Sequence, residues 1–216
     1  MNMNPQSVFG LLESAIEGRH LLDHPFYRRW EKGELKEGEL ASYASQYRYF
    51  EAHLPTALAS VAELLPNGRA RELVLANLSD EIDGPISHLE LFNRFAAAVE
   101  APEEGPGVAV SVLIEAYDAA KAVGAAEGLA AIAAYEIQAS GVAITKSEGL
   151  RDHYGVSGSD RSFWDVHGQI EDDHAKWTAE ALSEFSDHDA IFASAKVSAD
   201  AWWAFLDERE EFAKSL

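Results

Sequence analysis

Six side chains in this sequence have types and spacings that suit a metal centre. Glu81 and His88 lie seven residues apart, Glu136 stands alone in the apolar run Ala130–Ile144, and His167, Glu171 and His174 fall at i, i+4 and i+7. On a helix, His167, Glu171 and His174 share one face, and a seven-residue step returns Glu81 and His88 to one face two turns apart. Three carboxylates and three imidazoles turned toward one interior would hold two metal ions. The donor mix suits iron or manganese, and open coordination positions suit oxygen chemistry. Each cluster also has an ordinary reading. Gln169, Glu171, Asp172 and Asp173 could form a solvated face, and Glu136 could share a polar side with Gln138 and Ser140. A buried Glu136 is the more informative case, because an unpaired buried charge is strongly disfavoured and needs a partner.

The elements that must position these residues read as helices almost throughout, with apolar residues recurring at three and four. Helices are expected over about 5–19, 24–32, 37–65, 69–99, 108–123, 127–150, 162–185 and 187–214. Pro66-Asn67-Gly68 is a stop signal, and the stretch from Gly149 to Arg161, with three glycines, reads as a loop. Gly84-Pro85 interrupts the fourth helix between Glu81 and His88. Proline there removes a backbone donor, so a kink or local unwinding is expected, which weakens the single-face argument for this pair while leaving both side chains able to aim at one metal. No linker or short repeat divides the chain. The expected architecture is all-α: one domain over residues 1–216, a bundle of seven to eight helices.

Composition narrows the function classes. The chain has 216 residues, 47% of them hydrophobic, which is enough for a sizeable core. A net charge of −20 with no offsetting basic patch argues against nucleic acid and anionic membranes as partners. There is no cysteine, so disulfides, thiolate ligands and cysteine nucleophiles are all excluded. The N-terminal segment has acidic residues and no basic stretch followed by an apolar one. No signal peptide or membrane span is therefore expected, and a cytoplasmic location is the default.

The order Glu-x6-His, lone Glu, His-x3-Glu-x2-His resembles the haem-oxygenase-like di-metal oxidases, relatives of TenA and PqqC. Within them the chain looks closest to the Chlamydia protein associating with death domains and its folate-related bacterial relatives. The narrower likeness lies in HPFYRRWEKGEL (His24–Leu35), which carries Tyr27, in Tyr135 directly before Glu136, and in Lys146 within ITKSEGLRDHYG. The resemblance implies a haem-oxygenase-like bundle and an O2-dependent non-haem oxygenase with two metals, iron–iron or iron–manganese, that makes 4-aminobenzoate for folate synthesis. It implies that Tyr27 is the ring source, Lys146 the amino donor and Tyr135 a radical relay or support. O2 and a reductant would be partners, together with a small-molecule substrate or the protein's own tyrosine, and a homodimer is possible. One departure is Glu171, where the family also uses aspartate.

Without the family, Tyr27 beside Phe26 and Trp30 reads as core, Tyr135 as helix packing, and Lys146 as a cation near a helix C-terminus. Other functions stay open at this point. A di-iron oxidase or oxidative lyase acting on a free amino or fatty acid would use the same ligands. A haem oxygenase would use His20 or His24 and leave the six residues unexplained. A PqqC-like oxidase would not need the carboxylates, and a TenA-type hydrolase uses the absent cysteine. A ferritin-like site needs two Glu-x-x-His motifs, and only Glu171–His174 fits. A non-enzymatic helical interaction protein would carry its acids on the surface. Trp202, Trp203 and Phe205 read as core before they read as a dimer contact.

Overall fold

The computed structural model describes residues 2–156 and 158–215 and contains no strand among them. Nine α-helices follow in order: α1 (Pro5–Ala15), α2 (Pro25–Glu31), α3 (Glu37–Leu64), α4 (Arg69–Ile82), α5 (His88–Ala98), α6 (Val108–Val123), α7 (Ala125–His153), α8 (Ser162–Leu182) and α9 (His188–Ala213). Short 3-10 turns at Leu21–Asp23 and Gly158–Arg161 complete the order.

Local chemistry sets the helix ends. The Asn4 side chain accepts from Ser7 N at 2.9 Å and starts α1, with Pro5 at the first helical position. His24 Nδ1 accepts from Phe26 N at 3.1 Å and starts α2. Ser87 caps α5, and Asp187 caps α9. Pro66-Asn67-Gly68 terminates α3, as its sequence requires.

Two differences from the sequence reading bear on the site. The expected helix over 69–99 is two helices, which is why nine are found where seven or eight were expected. Pro85 cannot donate to a preceding carbonyl and its ring crowds that turn, so α4 stops at Ile82 and α5 restarts at His88. Gly149 is not the start of a loop, since α7 continues through it to His153. A Cβ at Gly149 would lie 2.8 Å from Trp30 Cδ1, so the glycine permits the close approach of α2 to α7. There the indole Nε1 of Trp30 donates to the carbonyl of Lys146 at 3.2 Å.

The bundle is built around α7, which packs against α8, α9, α6, α3, α1 and α2. Small residues on α7, among them Ala130, Ala133 and Ala134, allow this crowding and are fully buried. By length and composition alone α7 is apolar enough to cross a membrane, with a mean hydropathy of 1.2, but 67% of that window is buried inside the bundle. An aromatic layer fills the space between α2, α3, α5, α8 and α9. Tyr47 stacks on Phe92 with centroids 5.1 Å apart, and Tyr135 stacks on Trp202 at 4.5 Å. Trp202 and Phe205 are fully buried, as expected of core residues, whereas Trp203 is only half-buried and lies against His24 and Arg19.

Candidate metal centre and its tyrosine–lysine neighbour

All six carboxylate and imidazole residues are buried, none more than 6% exposed. Glu81 comes from the last turn of α4, His88 from the start of α5, Glu136 from the middle of α7, and His167, Glu171 and His174 from one face of α8. On α8 the flanking Gln169, Asp172 and Asp173 are exposed, so the helix is two-faced and Glu171 belongs to the inner face. Glu136 likewise has no share in a polar surface. A surface-acid interaction protein is therefore not what the chain builds.

Glu81 and His88 do not share a helix face. The non-helical segment at Gly84-Pro85 separates α4 from α5, and His88 Nδ1 lies 2.8 Å from Glu81 Oε2. His88 and His167 face each other with ring centroids 4.5 Å apart. Glu81, His88 and His167 each present one donor atom, and these atoms lie within 4.8 Å of one another. His174 Nδ1 lies 3.6 Å from Glu171 Oε2, and His167 Nε2 lies 3.8 Å from Glu171 Oε1.

Outer partners fix the imidazoles. His167 Nδ1 donates to the Phe163 carbonyl at 2.8 Å, which leaves Nε2 as a lone pair facing the cluster. His174 Nε2 is 3.2 Å from Asp80 Oδ2, which accepts its proton and leaves Nδ1 turned toward Glu171. Glu136 accepts from Asn77 Nδ2 at 2.6 Å and from Thr178 Oγ1 at 2.5 Å. Asp80, Asn77 and Thr178 were not singled out in the sequence. Their one available signal was a polar residue on the inner face of a helix already carrying an acid or a histidine.

The electrostatics follow from burial. It holds the His167 imidazole down at about 4, so that ring is neutral at pH 7. Burial lifts Glu171 to about 7 against the pull of His174. For His174, burial opposes the charge, but attraction from Glu171, with Glu136 and Glu81 behind it, prevails and raises it to about 10. Burial also works against the charge on Glu81, but the bond to His88 and the nearby imidazoles hold this carboxylate low.

Three carboxylates and three imidazoles, oriented by second partners and closed from water, fit a bound metal better than they fit one another. Five of the six, all but His88, line together with Ile132 a cavity with a volume of about 10 Å³, room for about one water. Tyr47, Phe50, Glu51, Leu54, Tyr117 and Tyr135 complete its wall, and Oε1 of buried Glu51 has no hydrogen-bond partner among the described residues.

Tyr27 and Lys146 are brought together one layer away, whereas Tyr135 lies at the metal cavity itself. Lys146 is 1% exposed, and its Nζ donates to the Tyr43 hydroxyl at 2.6 Å. That hydroxyl is 2.9 Å from the Tyr27 hydroxyl. Lys146 Nζ sits over the rings of Trp164 at 4.1 Å, Tyr27 at 4.4 Å, Tyr43 at 4.9 Å and Tyr47 at 5.1 Å from the centroids. Burial pushes the amine well below its ordinary value, with the charge of Glu51 acting in the other direction. Burial raises the Tyr27 hydroxyl, so the phenol keeps its proton. Tyr135 Oη is 2.8 Å from Tyr47 Oη, and both residues wall the metal cavity. Tyr47 touches both sites, its ring centroid lying 5.4 Å from that of Tyr43. Tyr43 and Tyr47 were missed in the sequence, although their spacing with Glu51, at i, i+4 and i+8, marks one face of α3.

His24, which could have served a haem, has both ring nitrogens engaged, one capping α2 and one 3.1 Å from Asp207. The fold likewise matches solved structures of the haem-oxygenase type. A TenA homologue from P. horikoshii superimposes with a TM-score of 0.76 at 16% identity, covering 94% of this chain and 97% of that one. A family model described as "Iron-containing redox enzyme" matches residues 41–206. Two curated relatives are named 4-aminobenzoate synthase. The Chlamydia pneumoniae protein is 29% identical, covering 91% of this chain and 92% of that protein, and the Nitrosomonas europaea protein is 32% identical, covering 91% and 88%.

Proposed function

Because this chain belongs to the family of iron-containing redox enzymes, we propose that it makes 4-aminobenzoate in an O2-dependent reaction, taking the ring from its own Tyr27 and the nitrogen from Lys146. The observation that carries this reading is the position of Lys146 Nζ, 4.4 Å above the centroid of the ring it would aminate and enclosed by aromatic side chains. The names of the two curated relatives support the product.

Glu81, His88, Glu136, His167, Glu171 and His174 would hold two metal ions, iron–iron or iron–manganese. When bound, these metals supply O2 binding at open coordination positions and the oxidising equivalents. The remaining work belongs to the chain. Tyr135 and Tyr47, sharing a hydrogen bond beside the cavity, can pass a proton between their hydroxyls as one ring loses an electron. Ring contacts from Tyr47 to Tyr43, and the hydroxyl pair Tyr43–Tyr27, extend that path to Tyr27. Desolvation pushes the Lys146 amine well below its ordinary value, which makes its nitrogen lone pair more available as a nucleophile. The aromatic enclosure keeps water away from an activated ring, limiting quenching.

The test is isotopic. Protein made with ring-labelled tyrosine and 15N-lysine, loaded with iron under anaerobic conditions and exposed to O2 with a reductant, should release 4-aminobenzoate carrying both labels. Unlabelled product, or many turnovers per chain on an added substrate, would refute the self-supplied reaction.

A further inference from the structure

Glu51 lies on α3, four residues after Tyr47 and eight after Tyr43, and it is 2% exposed. It walls the same cavity as Glu81, Glu136, Glu171 and His174. Its Oε1 has no hydrogen-bond partner, and no lysine or arginine is paired with it among the described residues. Lys146, whose charge acts on Glu51, spends its hydrogen bond on Tyr43. Four residues further on, Pro55 has no amide hydrogen for the Glu51 carbonyl, so this turn of α3 lacks one of its helical bonds. A carboxyl group in such a place, lacking a protein partner, is strongly disfavoured unless something in the cavity binds it.

Charge counting identifies that something. Two divalent cations carry +4, while Glu81, Glu136 and Glu171 carry −3 and the three imidazoles are neutral as ligands. A buried centre with a residual +1 is unfavourable, and one further carboxylate makes it neutral. The di-iron bundles that use four helices reach the same balance with four carboxylates and two imidazoles.

We propose that Glu51 is the fourth carboxylate of the metal centre, a ligand supplied by α3 that neutralises the metal pair. This rests on the two-metal reading above. It also gives α3 a double role, since the same helix face carries Tyr43 and Tyr47, so metal binding through Glu51 fixes the tyrosine path relative to the oxidising centre.

The experiment compares wild type, Glu51→Gln and Glu51→Asp in anaerobic Fe(II) titrations, read by elemental analysis after desalting, by chelator competition and by Mössbauer spectroscopy. Wild type should retain two irons per chain. Glu51→Gln should fold, because an amide of the same shape needs no counter-charge. It should bind at least one of the two irons about tenfold or more weakly, with a changed quadrupole doublet. Glu51→Asp, with the charge kept and the arm shortened, should recover part of that affinity. Two irons held by Glu51→Gln at wild-type affinity with an unchanged spectrum would overturn the proposal while leaving the two-metal reading intact. Fewer than two irons in wild type would overturn both.

Discussion

Replacing Tyr27 by phenylalanine separates the chemistry of this residue from its packing. The ring stays in place against Phe26, Trp30 and Tyr43, whose centroids lie 6.0 to 6.4 Å from it. The hydroxyl takes away one hydrogen bond, to Tyr43 at 2.9 Å. Tyr43 still accepts from Lys146 Nζ at 2.6 Å, but its own hydroxyl proton loses the Tyr27 oxygen as a partner. The cost is therefore about 1–3 kcal/mol, each kcal/mol lowering Tm by about 2–4 °C in a domain of this size. Tyr27 is not part of the metal cavity wall, so metal content should be unchanged. Product should nonetheless disappear, because the ring that becomes 4-aminobenzoate lacks its oxygen substituent. Anaerobic loading, O2 exposure and mass spectrometry of both the small-molecule fraction and the intact protein read this directly. A Tyr27→Phe protein that yields 4-aminobenzoate at the wild-type level would refute the reasoning, and one that loses its metal would show Tyr27 to be a support for the centre.

Further outcomes follow from the same geometry. Lys146→Met should abolish product yet raise stability at neutral pH. A lysine whose folded value is depressed takes up more protons unfolded than folded, so its burial lowers stability by about 1.4 kcal/mol for each unit of depression. Stability of the wild type should accordingly rise with pH toward the unfolded lysine value, and that slope should flatten in Lys146→Met on calorimetry across pH. Metal uptake should strengthen as pH rises through 7, because ligands bind deprotonated, Glu171 sits at about 7 and His174 is protonated up to about 10 in the ion pair. Proton release on binding, followed in weakly buffered solution, checks the sign, and uptake independent of pH between 6 and 8 would contradict it. Asp80→Ala removes the acceptor that orients His174 through Nε2, and should weaken metal affinity about 10–100-fold in chelator competition without altering the fold seen by circular dichroism.

Much of this arrangement could be read from the chain before any coordinates. The helical period puts His167, Glu171 and His174 on one face, and a glutamate in the middle of the run around Ile132 and Val142 had to find a partner inside the bundle. Pro66-Asn67-Gly68 marks the end of α3 by its turn chemistry alone. What escaped the sequence depends on contacts between distant helices. Asn77 and Thr178 matter because α4 and α8 both abut α7 at Glu136, and nothing local to either residue says so. The pairing of Glu81 with His88 spans the helix break at Gly84-Pro85, a geometry that periodicity gets wrong because the helix it assumes is not there. Tyr43, Tyr47 and Glu51 look like three more positions on a long core helix until Lys146, from α7, is placed among their rings.

The central claim is that six acid and imidazole side chains from α4, α5, α7 and α8 converge on bound metal. Anomalous diffraction at the iron edge from crystals of iron-loaded protein, with Glu136→Ala crystals treated alike, tests it most directly. The account predicts two peaks between Glu81, His88, Glu136, His167, Glu171 and His174, with at least one lost in the variant. Peaks elsewhere, no peak in the wild type, or unchanged occupancy in Glu136→Ala would contradict it.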